Sequence, residues 1–201
     1  MSSPIPEAVP ADGERRTMIT TACVVGGAGA LATAVPFVMS FQPSERAKAA
    51  GAPVEVDLGG IAPGEMRTVE WRGKPVWILR RTPEMLASLK KTDGEVADPQ
   101  SQRTAYPTPD YAKNEHRSIK PEYFIAVGIC SHLGCSPTGP LGAGASPALG
   151  ADPGFVCPCH GSTFDLAGRV FKNKPAPDNL EVPPHKYLSD TVVLVGDDGK
   201  A

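Results

Sequence analysis

The 201-residue chain has room for one globular domain and a smaller appendage. It carries 20 Lys and Arg against 22 Asp and Glu, a formal charge of -2, which lacks the basic excess that binding to a phosphate backbone requires; no nucleic acid partner is expected. The 41% apolar share allows a buried core, and 21 Gly with 22 Pro predict short elements joined by many turns.

The first predicted element is a membrane-spanning helix. No residue from Thr17 to Ser44 is charged, and this run is longer than the roughly 20 residues that cross the hydrocarbon layer as a helix. We therefore expect a single N-terminal transmembrane anchor over residues 17–44.

The residues before this run resemble an export signal. Arg15 and Arg16 stand in the string GERRTMI directly before the apolar segment, which is the layout of a twin-arginine signal. By the positive-inside tendency, residues 1–16 stay in the cytoplasm and the head lies on the periplasmic side of the inner membrane. Small residues at Ala32 and Ala34 leave cleavage open, although the length of the run favours a retained anchor.

A short segment connects the anchor to the rest of the chain. Residues 45–53 are mostly small and include no aromatic residue, so they predict a flexible tether, with an ordinary loop as the alternative.

Residues 54–201 form the predicted head, whose pattern is β-rich. Short runs of β-branched and aromatic residues, bounded by Gly, Pro and Asp, predict a mainly antiparallel sandwich or small barrel; they are VEVDL, TVEW, PVWILRR, YFIAVGIC, GFVC and TVVLV. One soluble helix is predicted at TPEMLASLKK, with Thr82 as its cap and Pro83 in its first position. The polar segment 92–120 is expected to run over the surface.

Two clusters of Cys and His carry the chemistry. They are Cys130, His132 and Cys135 in CSHLGC, and Cys157, Cys159 and His160 in CPCHGS. Structural zinc, disulfides and an iron-sulfur cluster all use such residues. A zinc site customarily pairs two Cys and later two His, whereas a mixed pair in each loop suits two different metal atoms, one held by thiolates and its neighbour by imidazoles.

CSHLGC and CPCHGS resemble the two signature loops of the Rieske iron-sulfur proteins. With the anchor in front, the chain resembles the Rieske subunits of bacterial ubiquinol:cytochrome c oxidoreductases, the cytochrome bc complexes. The resemblance implies a Rieske-type β-sandwich with a small cluster-binding subdomain, its loops lying within residues 128–180.

The resemblance also implies a ligand set. By matching positions, a [2Fe-2S] cluster is held by Cys130, His132, Cys157 and His160. The remaining cysteines, Cys135 and Cys159, would form a disulfide between the loops, in keeping with the oxidising compartment that export provides.

The same resemblance implies roles for residues close to the ligands in the sequence. Ser162 would donate a hydrogen bond to a cluster sulfur, and Leu133 would dock on cytochrome b. Phe164 stands where the family usually has a tyrosine, which predicts a lower reduction potential than in relatives with both hydroxyls. The loop Pro175–Leu180 would cover the cluster.

The imidazole ligands predict the reaction. Two neutral imidazoles in place of thiolates raise the potential to roughly -150 to +300 mV, from about -400 mV in all-Cys plant-type ferredoxins. An imidazole bound through one nitrogen can exchange a proton at the other, so a quinol in contact with His160 or His132 could lose an electron and a proton together. The electron would then pass to a c-type cytochrome.

Two other functions are consistent with the sequence. One is the small Rieske subunit of another exported oxidase, such as arsenite oxidase, and the other is a zinc-stabilised binding module without redox activity. No residue is placed as an independent nucleophile or general base, so any oxidoreductase activity belongs to a complex.

The remaining predictions concern residues without assigned chemistry. Segment 136–156 is expected to be a surface excursion, and His116 and His185 are expected at the surface or at strand ends. Gly128 and the glycines of the two signature loops are expected to let the backbone approach the cluster.

Overall fold

The structure is a computed structural model that describes residues 12–106 and 108–199. Most of the predicted cytoplasmic segment 1–16 lies outside the described residues. The chain divides into an N-terminal unit, Met1–Lys48, and a head, Ala49–Ala201.

The N-terminal unit contains one long apolar helix. Helix α1 spans Gly13–Ser40 and continues through Pro36. Its 28 residues give a length of about 42 Å at 1.5 Å per residue, enough to cross a bilayer core. None of its residues is buried within the protein, as expected for a helix whose apolar surface faces lipid.

The segment after α1 differs from the prediction of a flexible tether. A second helix, α2, spans Glu45–Ala50. The Ser44 hydroxyl accepts a hydrogen bond from the Ala47 amide at 3.2 Å, and Lys48 pairs with Glu45 at 2.7 Å. These local contacts favour a helical turn in a segment whose small residues suggested irregular chain.

In the described part of the head there are nine strands, one helix and one short 3-10 turn. In chain order they are β1 (Val54–Asp57), β2 (Met66–Trp71), β3 (Lys74–Arg80), α3 (Pro83–Thr92), the 3-10 turn Asp110–Ala112, β4 (Tyr123–Val127), β5 (Thr138–Leu141), β6 (Gly154–Val156), β7 (Thr163–Phe164), β8 (His185–Tyr187) and β9 (Val192–Val195). They make three antiparallel three-stranded sheets, ordered β1-β9-β8, β2-β3-β4 and β5-β6-β7. The predicted architecture of one N-terminal helix and a mainly antiparallel β head is confirmed.

Strands β3 and β4 of the middle sheet are buried on both faces. Along β3, Ile78 packs with the residues of the first sheet, whereas Trp77 and Leu79 pack on the opposite side, because successive strand side chains alternate between faces. The second of these cores also contains Cys130 and Cys157. The hydrophobic core on this side of the middle sheet is therefore continuous with the buried cysteines of the two signature loops.

The helix predicted after Thr82 is present as α3. Helix α3 begins at Pro83, and the Thr82 hydroxyl accepts a hydrogen bond from the Met85 amide at 3.3 Å. The helix packs Leu89 into the core that holds the two cysteines.

Two segments that were predicted to run over the surface place residues in the interior of the head. Segment 136–156 contains β5, which pairs with β6, and also a buried Leu149. Segment 92–120 contains Arg117, whose side chain has no exposed area. The sequence obscured both features, because Gly and Pro interrupt β5 and because an arginine in a polar segment is ordinarily solvated.

Candidate metal centre

The first signature loop is a tight turn after β4. The Cys130 amide donates to the Cys135 carbonyl at 2.7 Å, and the Gly134 amide donates to the Cys130 carbonyl at 3.1 Å. Gly134 has a φ of 83°, in the left-handed region that glycine adopts without steric cost. Gly134 therefore gives the loop the left-handed conformation that its turn requires.

The second signature loop repeats this turn after β6. The Cys157 amide donates to the Ser162 carbonyl at 2.7 Å, and the Gly161 amide donates to the Cys157 carbonyl at 3.0 Å. Gly161 also has a positive φ, of 72°. Two six-residue segments with different His positions thus share one backbone hydrogen-bond pattern.

A disulfide joins the two loops. The sulfurs of Cys135 and Cys159 are 2.08 Å apart, with Cα atoms separated by 6.6 Å. The Cys157 sulfur lies within 4.8 Å of both. Because the disulfide occupies two of these three sulfurs, Cys157 is the member of the trio with a free thiol.

Two free thiols are buried side by side in the core. Cys130 and Cys157 are 1% and 2% exposed, and Cys157 and Ser162 lie close enough to the Cys130 thiol to shift its pKa. Burial is the main cause that raises the pKa of the Cys130 thiol. A metal cation would favour the thiolate form instead, so this pair suits a shared metal centre.

Two imidazoles also lie together at the loop tips. The rings of His132 and His160 are 4.7 Å apart between centroids, at an interplanar angle of 87°. Nδ1 of His132 is buried and has no hydrogen-bond partner among the described residues. An unsatisfied buried nitrogen costs about 1–3 kcal/mol, and coordination to a metal would satisfy it.

These donors fit a Rieske cluster. The two buried free thiols could provide sulfur ligands, and the two adjacent imidazoles could provide nitrogen ligands. The thiols lie on the side of the site that faces the core. The imidazoles lie on its outer side, because His160 is exposed and His132 is partly exposed.

Ser162 connects the second loop to the third loop, Pro175–Leu180. Its buried hydroxyl oxygen accepts from the Ala176 amide at 2.9 Å, and the same hydroxyl lies near the Cys130 thiol, whose pKa it lowers. One side chain thus contacts a candidate ligand atom and holds the covering segment.

Ser131 fixes the same third loop from the first signature loop. Its hydroxyl donates to the Asp178 carbonyl at 2.6 Å and accepts from the Asp178 amide at 3.2 Å. No local pattern indicates this role for Ser131; the one available signal is its position between Cys130 and His132.

Phe164 is fully buried on β7, opposite Phe155. It packs in the core that contains Cys130 and Cys157. Phe164, which the resemblance set against a tyrosine, is therefore an apolar contact in this structure.

Leu133 lies at the outer end of the first loop with 71% of its side chain exposed. The next residue, Gly134, is also exposed, as are Pro158 and His160 of the second loop. An apolar side chain next to an exposed imidazole can contact another protein and a small ligand together.

One prediction about a nearby residue needs correction. A side chain on Gly128 would come within 2.2 Å of Trp77, so this glycine allows the indole to pack. His185 lies at a strand end, as expected, because it begins β8; it is 2% exposed, with Nδ1 2.8 Å from the Pro183 carbonyl oxygen. His116 is partly exposed, with Nε2 3.1 Å from a Glu115 carboxylate oxygen.

Paired loops with a mixed sulfur and nitrogen donor set, closed by a disulfide at the end of a β-sandwich, define an iron-sulfur protein. Residues 55–184 match the family model of the Rieske [2Fe-2S] domain, and the chain belongs to this family.

Relatives match nearly the whole chain. It is 55% identical to the "ubiquinol-cytochrome c reductase iron-sulfur subunit" of Allochromatium vinosum, over 92% of this chain and 88% of the relative. The protein of the same description from Bradyrhizobium diazoefficiens is 39% identical, over 87% of this chain and 88% of the relative. Among solved structures, a chain of a "hyperthermophilic respiratory Complex III" is 28% identical, with a TM-score of 0.47, covering 89% of this chain and 98% of that chain.

Proposed function

We propose that the chain is the electron-transfer subunit of a quinol:cytochrome c oxidoreductase of the inner membrane. The observation that carries the proposal is the paired-loop site, in which two buried free thiols and two adjacent imidazoles lie at the end of the sandwich. The extensive identity to ubiquinol-cytochrome c reductase subunits supports the same function.

The proposed ligands of the [2Fe-2S] cluster are the thiolates of Cys130 and Cys157 on one iron and the imidazoles of His132 and His160 on the other. When bound, a Rieske cluster supplies a one-electron redox centre of mild potential. The buried unpaired Nδ1 of His132 supports its role as a ligand atom. The Cys135–Cys159 disulfide keeps the two halves of this donor set together.

The exposed imidazoles are the proposed contact for quinol. A ring nitrogen that does not bind the metal can accept a hydrogen bond from a quinol hydroxyl and then take its proton. His160 is exposed and His132 is partly exposed, so both are accessible from outside the head. The third loop and the sandwich core cover the site on its other sides and limit the access of water.

Cytochrome b and a c-type cytochrome are the proposed partners, with Leu133 as an apolar contact on cytochrome b. The proposed catalysis belongs to the complex, and this chain has no independent active site. We propose that residues 17–44 anchor the chain and that the head, residues 54–201, lies on the periplasmic side. The apolar helix α1 supports the anchor, and Arg15 and Arg16 before it support export by the twin-arginine route.

Purification of the tagged full-length chain from membranes tests this function. We expect b-type and c-type haems to co-purify, together with quinol-dependent reduction of cytochrome c. A preparation with molybdenum and without haem would instead favour another exported oxidase and contradict the proposal.

The docking role of Leu133 has a matched control. Leu188 is another exposed apolar side chain, 48% exposed, which follows β8. We expect Leu133→Asp to lower quinol oxidation by the complex while its iron-sulfur EPR signal is retained, and Leu188→Asp to leave turnover unchanged. Equal turnover in the two variants would remove Leu133 from the docking surface.

A further inference from the structure

Arg117 is a buried cation in the segment between α3 and β4. Its side chain has no exposed area, and no carboxylate of residues 12–106 or 108–199 forms an ion pair with it. Nε donates to the Ser101 hydroxyl at 2.8 Å, and Nη2 donates to the Thr108 hydroxyl at 2.9 Å. Burial lowers the pKa of Arg117 to about 10, so the guanidinium remains charged at neutral pH.

The other donors of Arg117 reach two segments of the cluster site. Nη1 donates to the carbonyls of Ala167 and Gly168 at 2.9 and 3.2 Å. These residues form the turn that follows β7, which itself continues the second signature loop. Nη2 also donates to the carbonyl of Leu180, the last residue of the third loop, at 2.7 Å.

The third loop is therefore held at both ends. Near its start, Ala176 donates to Ser162, and in its middle Asp178 is bonded to Ser131. At its end, the Leu180 amide donates to the Gly168 carbonyl at 2.8 Å, the same carbonyl that Arg117 contacts. Arg117 thus contacts both the end of the third loop and the turn against which the loop packs. The neighbouring Asn179 side chain bonds to the Val170 amide and the Asp98 carbonyl, and not to this turn.

We propose that Arg117 is a positioning residue for the cluster, whose guanidinium clamps the third loop to the turn at Ala167 and Gly168. The proposal rests on the proposed ligand set, since the clamped loop covers those ligands. Without the clamp, the third loop opens more often, and water and small solutes reach the cluster more easily. A hydrogen bond from a charged donor to a buried carbonyl is stronger than a neutral one, so a single side chain has a large effect on this opening.

Arg81 provides a matched control within the same interior. It is 2% exposed, burial lowers its pKa to about 9, and no described carboxylate forms an ion pair with it. Its Nη1 donates to the Leu166 carbonyl at 3.2 Å, in the turn that Arg117 also contacts. Its remaining donors reach Pro121, His116 and Ser118, and none reaches the third loop.

Hydrogen exchange of the full-length chain in its purified membrane complex tests the proposal. We expect Arg117→Met to accelerate exchange in the peptide covering residues 175–180 on the order of tenfold or more, from the loss of a charged hydrogen bond. Release of iron to an added ferrous chelator should accelerate in parallel. Arg81→Met should lower the melting temperature to a similar extent but leave exchange in this peptide at the wild-type rate.

A milder variant decides the question if Arg117→Met does not assemble. Thr108→Val removes one acceptor of Nη2 and should give a smaller acceleration of exchange in the same peptide. The proposal is contradicted if the peptide of residues 175–180 exchanges at the wild-type rate in Arg117→Met, or in Thr108→Val where Arg117→Met does not assemble. It is also contradicted if Arg81→Met accelerates exchange in this peptide as much as Arg117→Met does. A failure of the proposed function is separately visible, because the unmodified complex would then lack a Rieske EPR signal.

Discussion

Removal of the Ser162 hydroxyl should lower both the reduction potential and the stability of the head. This hydroxyl accepts from the Ala176 amide at 2.9 Å at a site with no exposed area, and it lies near the Cys130 sulfur, to which it is placed to donate. A hydroxyl donor to a cluster sulfur favours the reduced state, which carries more negative charge. Ser162→Ala removes that donor and leaves the Ala176 amide without its partner.

The sizes of the two effects follow from these contacts. An unsatisfied buried amide costs about 2 kcal/mol, which corresponds to a melting temperature lower by about 6 °C for a domain of this size. We take the hydrogen bond to sulfur to be stronger by about 1 kcal/mol in the reduced state than in the oxidised state. Its loss then lowers the midpoint potential by ~40 mV, because a tenfold change in the equilibrium constant of a one-electron reduction is about 59 mV.

Potentiometric EPR titration of the full-length chain in its complex measures this shift. Ser131→Ala is the matched control, because the Ser131 hydroxyl holds the same third loop and both of its hydrogen bonds go to the Asp178 backbone. The potential of Ser162→Ala should fall clearly below that of Ser131→Ala, the difference reporting the bond to sulfur. Equal potentials in the two variants would refute the reasoning.

Three further changes have defined outcomes. Phe164→Tyr should raise the midpoint potential, because a second hydroxyl near the cluster favours its reduced state; an unchanged or lower potential would contradict this explanation. Replacing Cys135 and Cys159 by Ser should destabilise the head by about 3 kcal/mol in thermal or denaturant unfolding, from the lost closure of a loop with a sequence separation of 24. Burial lowers the pKa of His185, so the unfolded chain binds its proton more readily, and stability should fall as pH drops below about 6.5. His185→Gln should flatten this part of the unfolding profile, and a profile that keeps its slope would assign the pH dependence to other groups.

The features predicted from sequence are those with a local signal. The uncharged run after Thr17 predicts a helix because backbone groups in lipid must be satisfied internally. Thr82 and Pro83 predict the start of α3 because the cap and the first turn depend on adjacent residues alone. The two signature loops were recognisable because their Cys, His and Gly stand at fixed spacings within six residues.

The features that the sequence did not reveal depend on distant segments. Strand β7 has only two residues, too few for an alternating pattern, and exists because Phe155 and Phe164 face each other across strands. Arg117 is buried because carbonyls of Ala167, Gly168 and Leu180 converge on it from 50 to 63 residues away. No pattern around an arginine in a polar segment indicates such partners.

The ligand set is tested most directly by pulsed EPR of the reduced full-length chain, labelled with 15N-histidine, in its native membrane complex. If His132 and His160 both bind the cluster, two coupled histidine nitrogens should appear, and replacement of either histidine should abolish the native pattern. A spectrum with one histidine nitrogen or none, or a native spectrum that survives either replacement, would contradict the proposed cluster and the proton transfer assigned to its imidazoles.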